Sequence, residues 1–337
     1  MTETVVLSLA EAEALLHSAF ANSGVREPAA RSVAQALVAA EAEGQVGHGF
    51  SRLSDYIAQA KSGKINAQAK IAVTKRGPAS VFVDADCGFA YPALDAALEV
   101  GLPLAHEMGI AVMAVGSSHH CGALSVQVER IGRAGLIGLM VANTPKAIAP
   151  WGAREAIFGT NPIAFAVPRD GAEPLVADLS LSKVARGKVM AAKKAGKEIP
   201  LGWALDASGQ PTTDPTAALE GTMVPIGEAK GTALALLVEI LAAAFSGSAF
   251  GHEAGSFFHP DGPAPRVGQT LIALRPDIQG GFYARVSDIL DEISALEGAR
   301  LPGMRRQMMI AKSREDGLRV PVAYVEAARE LARRAGS

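Results

Sequence analysis

The apolar residues of this 337-residue chain change their spacing near residue 70, and that change limits the folds open to it. Before it, Leu9, Ala12, Leu15, Leu16, Ala19 and Phe20 recur at helical intervals, behind a Ser8/Glu11 pair spaced as a capping box. A second helix is expected from Pro28 in its first turn, through a stripe of Val33, Ala36, Leu37 and Ala40, to Gly44. A third runs over 53–61 and stops at Gly63. Beyond 70 come short uninterrupted apolar runs at 80–83, 110–115, 137–141, 163–167 and 175–177, which read as buried strands. Helical stretches at 90–108 and 122–134 separate the earlier ones, and this alternation predicts an α/β fold with a sheet at least partly parallel. Helices near 183–194 and 229–245, a strand at 270–274 and helices over 284–297 and 322–335 follow. Both ends are helical, so 1–70 is expected to pack with 305–337, leaving 71–304 as the α/β domain.

Composition narrows the partners. Lys plus Arg is 32 against 34 for Asp plus Glu, a net charge of -2, which offers no electrostatic reason for a nucleic-acid or anionic-membrane partner. The longest apolar stretch, 232–245, is 14 residues and contains Glu239. A bilayer helix needs about 20. No basic stretch followed by an apolar segment marks a signal peptide at the N-terminus. Two cysteines, Cys87 and Cys121, cannot build a disulfide framework or a four-thiolate metal site, and they fit a reducing cytoplasm. The expected ligand is small.

Familiar nucleotide and metal signatures are missing. The only G-x-G is Gly47-His48-Gly49, and Arg52 stands where the dinucleotide fingerprint needs Gly or Ala. There is no Walker A sequence, and His252-Glu253 lacks a second histidine four residues on, so no metal is expected. Four clusters remain. Gly47 to Arg52, with Tyr56 following, places a histidine able to exchange a proton near pH about 6.5 beside a guanidinium that can grip a carboxylate in bidentate fashion, if a helix begins near Ser51. A turn histidine with a solvated arginine is the alternative. Ser117-Ser118-His119-His120-Cys121-Gly122 follows a predicted strand, where open α/β sheets bind ligands, although adjacent histidines can also cap a helix and Cys121 suits a small buried residue. Asn143-Thr144-Pro145, Trp151-Gly152 and Gly159-Thr160-Asn161-Pro162 are polar turns that line a pocket or simply punctuate loops. Asp178-Leu179-Ser180 with Lys183, Arg186, Gly187 and Lys188, and Lys230-Gly231 before an apolar helix, put cations near helix starts able to hold a pyrophosphate, or else form a solvated basic face.

These residues, in this order, make the chain resemble the malate/L-lactate dehydrogenase family of non-Rossmann type. That family includes sulfolactate, ureidoglycolate and diketogulonate enzymes and cyclic imino-acid reductases. The likeness runs from Gly47 to Arg52, through Lys61-Ser62-Gly63-Lys64, His120 to Gly122, Asn143-Thr144-Pro145, Ala149-Pro150-Trp151-Gly152 and Gly159 to Pro162. It continues through Ala185-Arg186-Gly187-Lys188, Pro200 to Leu205, Thr212 to Pro215, Lys230-Gly231 and Leu301-Pro302-Gly303. The resemblance implies the family's own mixed, partly parallel α/β fold with a helical domain formed by the chain ends, a homodimer, and hydride transfer between NAD or NADP and a small carboxylate substrate. By the same resemblance His48 and His120 are catalytic, while Arg52, Tyr56 and Thr160 meet the substrate. His120, Cys121, Gly122, Ala123, Leu124, Thr144, Asp178, Leu179, Ser180, Arg186, Lys230, Gly303, Arg305 and Arg306 meet the cofactor.

Two departures bear on substrate. Many relatives have serine where this chain has Gly47, and the imino-acid reductases have an aspartate where it has Lys188. A Ser-His-Asp relay is therefore not available, and His48 has no identified orienting group. The expected function is an NAD(P)-dependent oxidoreductase of a small 2-hydroxy/2-oxo acid of the malate, lactate or sulfolactate type. The alternatives are a reductase of cyclic 2-imino acids (pyrroline- or piperideine-2-carboxylate) and a non-catalytic nucleotide or organic-acid binding protein.

Overall fold

A computed structural model of the protein describes residues 3–333. The tail of the helix expected to reach 335, and residues 334–337 of the C-terminal segment, lie outside them. The chain opens with β1 (Thr4–Leu7), α1 (Leu9–Ala21), α2 (Glu27–Ala42) and α3 (Leu53–Lys61), with two 3₁₀ turns, Val46–His48 and Phe50–Arg52, before α3. Then come β2 (Ala72–Gly77), β3 (Ser80–Asp84), α4 (Ala90–Met108), β4 (Ile110–Ser118), α5 (Leu124–Arg133), β5 (Ile137–Ala142), β6 (Ile163–Arg169) and β7 (Ala172–Leu179). α6 (Arg186–Lys194), β8 (Ala204–Leu205), β9 (Pro211–Thr212), α7 (Pro215–Glu220), β10 (Thr222–Met223) and α8 (Ala229–Glu239) follow, α8 running into a π turn, Ile240–Ala244. The last elements are β11 (Val267–Leu274), α9 (Phe282–Ala295), α10 (Met304–Asp316), β12 (Leu318–Pro321) and α11 (Val322–Arg333). The Ser8/Glu11 capping box forms, with Glu11 N–H donating to Ser8 Oγ at 3.2 Å and Ser8 N–H to Glu11 Oε2 at 2.8 Å. Pro28 sits in the first turn of α2, and Gly44 follows that helix.

The main sheet has seven strands in the order β2-β3-β4-β11-β5-β6-β7. Only β3 and β4, joined through α4, run parallel; the other pairs are antiparallel. The reason is β11, which returns from far along the chain and inserts between β4 and β5, antiparallel to both. A mixed, partly parallel α/β sheet is thus the fold. Its core packs α4 and α5 on the strands through Leu94, Leu98, Val128 and Ile131 against Val81, Val83, Met113, Val115, Met140 and Leu271. Each such side chain contributes about 1.5–3 kcal/mol when fully buried.

The chain ends meet as well. β1 pairs antiparallel with β12, from Thr4 opposite Pro321 to Leu7 opposite Leu318. A second core joins Leu16, Phe20, Leu37, Phe50, Leu53 and Tyr56 to Val320, Val325 and Ala328, with Phe89 and Tyr91 entering from the sheet side. A third gathers Ile148, Phe158, Leu181, Val189, Ala218 and Val238 around the short β8–β10 sheet. No helix among the described residues is long and apolar enough to cross a membrane.

Candidate active site

Strand register brings the polar loops to one end of the sheet. Ser118, the last residue of β4, faces Val267, the first of β11, and Gln269 faces Ala142 at the end of β5. Ile163, opening β6, faces both Val141 and Leu179. The residues just past β4, β5 and β7 and just before β6 therefore share one rim, the position at which open α/β sheets take ligands. Hydrogen bonds tie the loops together: Gln269 Nε2 to the His119 carbonyl (3.2 Å), Ala142 N–H to the Pro162 carbonyl (3.3 Å), Leu181 N–H to the Thr160 carbonyl (2.8 Å) and Ile226 N–H to the Leu181 carbonyl (2.8 Å). Thr144 and Thr160 meet there, the Thr160 N–H donating to Thr144 Oγ1 at 2.9 Å.

Beneath this rim lies an aromatic cluster. The rings of His48 and His120 stack with centroids 5.1 Å apart and 19° between planes. Tyr56, buried on α3, places its hydroxyl 2.5 Å from His120 Nδ1 and 3.0 Å from the Tyr91 hydroxyl. It bonds to His120 from behind and is fully buried. His119 turns elsewhere, its Nε2 2.9 Å from Gln59 Oε1, while Gln59 Nε2 donates to the Phe257 carbonyl at 2.8 Å. Of the two adjacent histidines, one anchors the 257 segment and the other faces His48; neither caps α5, whose N-cap is Ala123. Burial, helped by the nearby Arg52 charge, holds the imidazoles neutral: His48 falls to about 4 and His120 well below its ordinary value. His48 Nδ1 is buried without a partner among the described residues, so none of them orients that ring through it. Burial pushes the Cys121 thiol up to about 12, which makes it a packing residue.

Arg52 projects from the second 3₁₀ turn, since the helix begins at Leu53 and not near Ser51. Its Nε donates to the Gly47 carbonyl at 2.7 Å, fixing the side chain, while a terminal nitrogen comes only within 3.9 Å of Asp55. The guanidinium also lies 4.9 Å over the Phe258 ring. Its outer edge is thus available to a carboxylate. Glu41 on α2 supports the same turn from within, its Oε2 accepting the Phe50 N–H at 2.9 Å. A Cβ at 49 would lie 2.0 Å from that oxygen, so any larger residue there would displace the Glu41 carboxylate. Nothing in the sequence marked Glu41 except its place among the alanines of a buried helix face.

Burial pushes the Glu41 carboxyl from its ordinary 4.5 up to about 7. The unfolded chain releases this proton first, so its contribution to wild-type stability falls as pH rises from 4.5 and levels off above about 7. Glu41→Gln keeps an acceptor and lacks this loss, which at about 1.4 kcal/mol per pH unit amounts to at most about 3.5 kcal/mol. Thermal melts should show the variant gaining on wild type across that window; a constant difference would refute the assignment.

The expected cofactor residues fall in two neighbouring groups. Asp178 Oδ2 accepts the Ser125 N–H in the first turn of α5 at 2.9 Å, and Ser125 Oγ lies 2.5 Å from Glu43 Oε2. α10, capped by Gly303, packs on β7 through Gln307 Nε2, which donates to the Pro174 carbonyl at 3.2 Å. Arg305 is exposed, whereas the Arg306 guanidinium is held between Glu43 and Glu129. In the second group, Ser180 leads toward the turn before Lys230, and Arg186 Nη2 donates to the Leu219 carbonyl at 3.1 Å. Leu179, Lys188 and Lys230 are exposed. α6, α8 and α10 all begin without a side-chain cap and carry Arg186, Lys230 and Arg305 in their first turns. Helix starts without a side-chain cap, beside cations, fit the phosphates of a nicotinamide dinucleotide.

Sequence reasoning also missed Glu239. Buried at the end of α8, its carboxylate accepts from Asn143 Nδ2 (3.3 Å), Asn161 Nδ2 (3.2 Å) and Gly251 N–H (3.3 Å), tying together the loops that carry Thr144 and Thr160. Its only signal was a charge inside the most apolar stretch of the chain.

Comparison with known proteins gives this arrangement a family. The malate/L-lactate dehydrogenase family matches residues 7–328. A (2R)-3-sulfolactate dehydrogenase (NADP(+)) of Chromohalobacter salexigens is 48% identical over 97% of this chain and 98% of its own. A Δ1-pyrroline-2-carboxylate/Δ1-piperideine-2-carboxylate reductase of Pseudomonas putida is 39% identical over 98% of each. The crystal structure of Δ1-piperideine-2-carboxylate reductase from Pseudomonas syringae pv. tomato superposes with a TM-score of 0.93 at 37% identity, covering 97% of this chain and 100% of that one. On matches of this length, the chain belongs to the malate/L-lactate dehydrogenase family.

Proposed function

We propose that this NAD(P)-dependent oxidoreductase interconverts a small 2-oxo acid and its 2-hydroxy acid, with a substrate of the sulfolactate type that carries a second anionic group and with NADP as cofactor. The observation that carries this reading is a guanidinium whose terminal nitrogens make no hydrogen bond among the described residues, only a 3.9 Å approach to Asp55, and whose charge acts on two stacked neutral imidazoles. The relative at 48% identity, named for sulfolactate and NADP(+), supports the substrate and cofactor. Arg52 binds the substrate carboxylate, and Thr160 lies against the substrate. Burial first, and the Arg52 charge after it, depress the imidazoles; the arriving anion offsets that charge and itself favours the imidazolium, so His48 takes up a proton on binding and hands it to the 2-oxo oxygen. His120 supports the same oxygen from the stacked position. Bound NADPH supplies the hydride to C2. The 120–124 turn, Thr144 and the 178–180 strand end hold it, with Arg186, Lys230 and the 303–306 turn, Arg305 outermost, at its phosphates.

The test is oxidation of NADPH and NADH with sulfopyruvate, oxaloacetate, pyruvate and Δ1-pyrroline-2-carboxylate. The dianionic oxo acids with NADPH should give the highest kcat/KM. Preference for the cyclic imine would replace this reading with the imino-acid reductase one, which the relative at 39% identity represents.

The proposal includes a homodimer formed through α8. A helix apolar on all sides needs cover on all sides. Leu234, Leu236, Leu237 and Ile240 are 42%, 49%, 46% and 49% exposed, while Ala235 and Val238 fill the core beneath. Leu237→Glu should therefore convert a dimer to a monomer in sedimentation, and an unchanged mass would remove this face from the interface. We also propose the division into 1–70 with 305–337 and an α/β cofactor-binding part, 71–304, supported by the β1–β12 pairing. A cytoplasmic location is proposed on the unpaired state of Cys87 and Cys121.

A further inference from the structure

We infer that Tyr56, at the inner end of a buried tyrosine pair with Tyr91, fixes the proton of neutral His120 on Nε2 and so sets which face of the imidazole can donate to a ligand. The inference deepens the proposed function and rests on it only for the role of His120. Three buried groups form a chain: the Tyr91 and Tyr56 hydroxyls are 3.0 Å apart, and the Tyr56 hydroxyl is 2.5 Å from His120 Nδ1. The residues are 2%, 0% and 8% exposed, so water does not compete along it.

Two proton arrangements fit those distances. In one, Tyr91 donates to Tyr56 and Tyr56 donates to an unprotonated Nδ1, which puts the imidazole hydrogen on Nε2. In the other, His120 donates from Nδ1 to Tyr56 and Tyr56 donates to Tyr91. The second leaves the Tyr91 hydroxyl hydrogen with no acceptor, because Tyr56 is the only hydrogen-bond partner of Tyr91 among the described residues. An orphaned buried hydroxyl weights the equilibrium against that arrangement by roughly 10- to 100-fold. Nor does either phenol leave the chain by ionising, since burial raises both well above the ordinary tyrosine value. His120 Nε2 makes no hydrogen bond within the described residues, so the tautomer with hydrogen on Nε2 presents a free donor. Tyr91 also borders the proposed cofactor turn. A Cβ on Gly122 would lie 2.6 Å from its hydroxyl oxygen, so glycine at 122 leaves room for the phenol.

Tyr56 is thus a positioning residue, one hydrogen bond from His120. The test is nitrogen NMR of the ¹⁵N-histidine-labelled full chain, which reads the tautomer of His120 without substrate. Wild type should show one neutral form, protonated on Nε2. Tyr56→Phe keeps the ring but removes the donor to Nδ1, and should give a mixture of both tautomers. Tyr91→Phe leaves Tyr56 with Nδ1 as its acceptor and should keep the Nε2 form. The kcat of Tyr56→Phe should fall roughly 3- to 10-fold with KM and NADP affinity unchanged. A wild-type form protonated on Nδ1, or an unmixed Nε2 form in a folded Tyr56→Phe, would overturn the inference. A tautomer shift without loss of turnover would leave the inference intact and count instead against the catalytic role of His120. Should Tyr56→Phe fail to fold, the wild-type spectrum alone decides.

Discussion

Replacing His48 or His120 with alanine is expected to lower turnover about 10²- to 10⁴-fold each, the range for a positioned general acid or base, with cofactor affinity nearly unchanged. The two losses should not add, because rings stacked at 5.1 Å serve one oxygen and removal of either disables the pair. Activity retained within a few-fold in both variants would end the assignment. The pH dependence supplies a second reading of the same groups. Oxidation of the hydroxy acid needs a neutral base, and His48, held at about 4, is already neutral in the free enzyme throughout the physiological range. The kcat/KM for oxidation should therefore lose this base only as pH falls toward 4, below the fall expected of an ordinary histidine near about 6.5. Reduction requires His48 to capture a proton on binding, so substrate binding in a weak buffer should draw a proton from solution. An oxidation limb at the ordinary histidine value would show that burial does not govern His48.

Local pattern made much of this legible. The capping box at Ser8, the stop at Gly44, the strand expected over 110–115, which β4 extends to Ser118, and the cations that open α6 and α8 all follow from short-range rules, and the structure carries each of them. The order of the sheet was not accessible, because β11 pairs with strands more than a hundred residues earlier and no local periodicity records the partner of a strand. β1 and β12, four residues each, are too short to display a period of two. Within the site, His48 and Arg52 stand close because they are only four positions apart, but the groups that support them carry no such local signal. The resemblance implies a substrate contact for Tyr56, yet its hydroxyl is buried against His120. Glu41 and Glu239 show the same limit: a carboxylate that organises backbone donors is indistinguishable in sequence from one that faces water.

Arg52→Lys separates charge from geometry. Lysine keeps the positive charge but offers a single ammonium in place of the planar fork, and it cannot reproduce the Nε bond to the Gly47 carbonyl while also reaching the substrate. Each charge-assisted hydrogen bond lost is worth about 1.5–3 kcal/mol, so kcat/KM should fall roughly 10- to 100-fold, mostly through KM. NADP affinity should hold, because the proposed phosphate contacts lie at the starts of α6, α8 and α10. The pH behaviour should change in a defined direction as well. Arg52 contributes to the depression of His48, so Arg52→Gln, which removes the charge, should raise the His48 value from about 4 and move the acid limb of oxidation upward. Lysine should leave that limb near its wild-type position. If Arg52→Lys weakens substrate and cofactor equally, the arginine is holding the 3₁₀ turn and not the carboxylate, and the proposed substrate site loses its anchor.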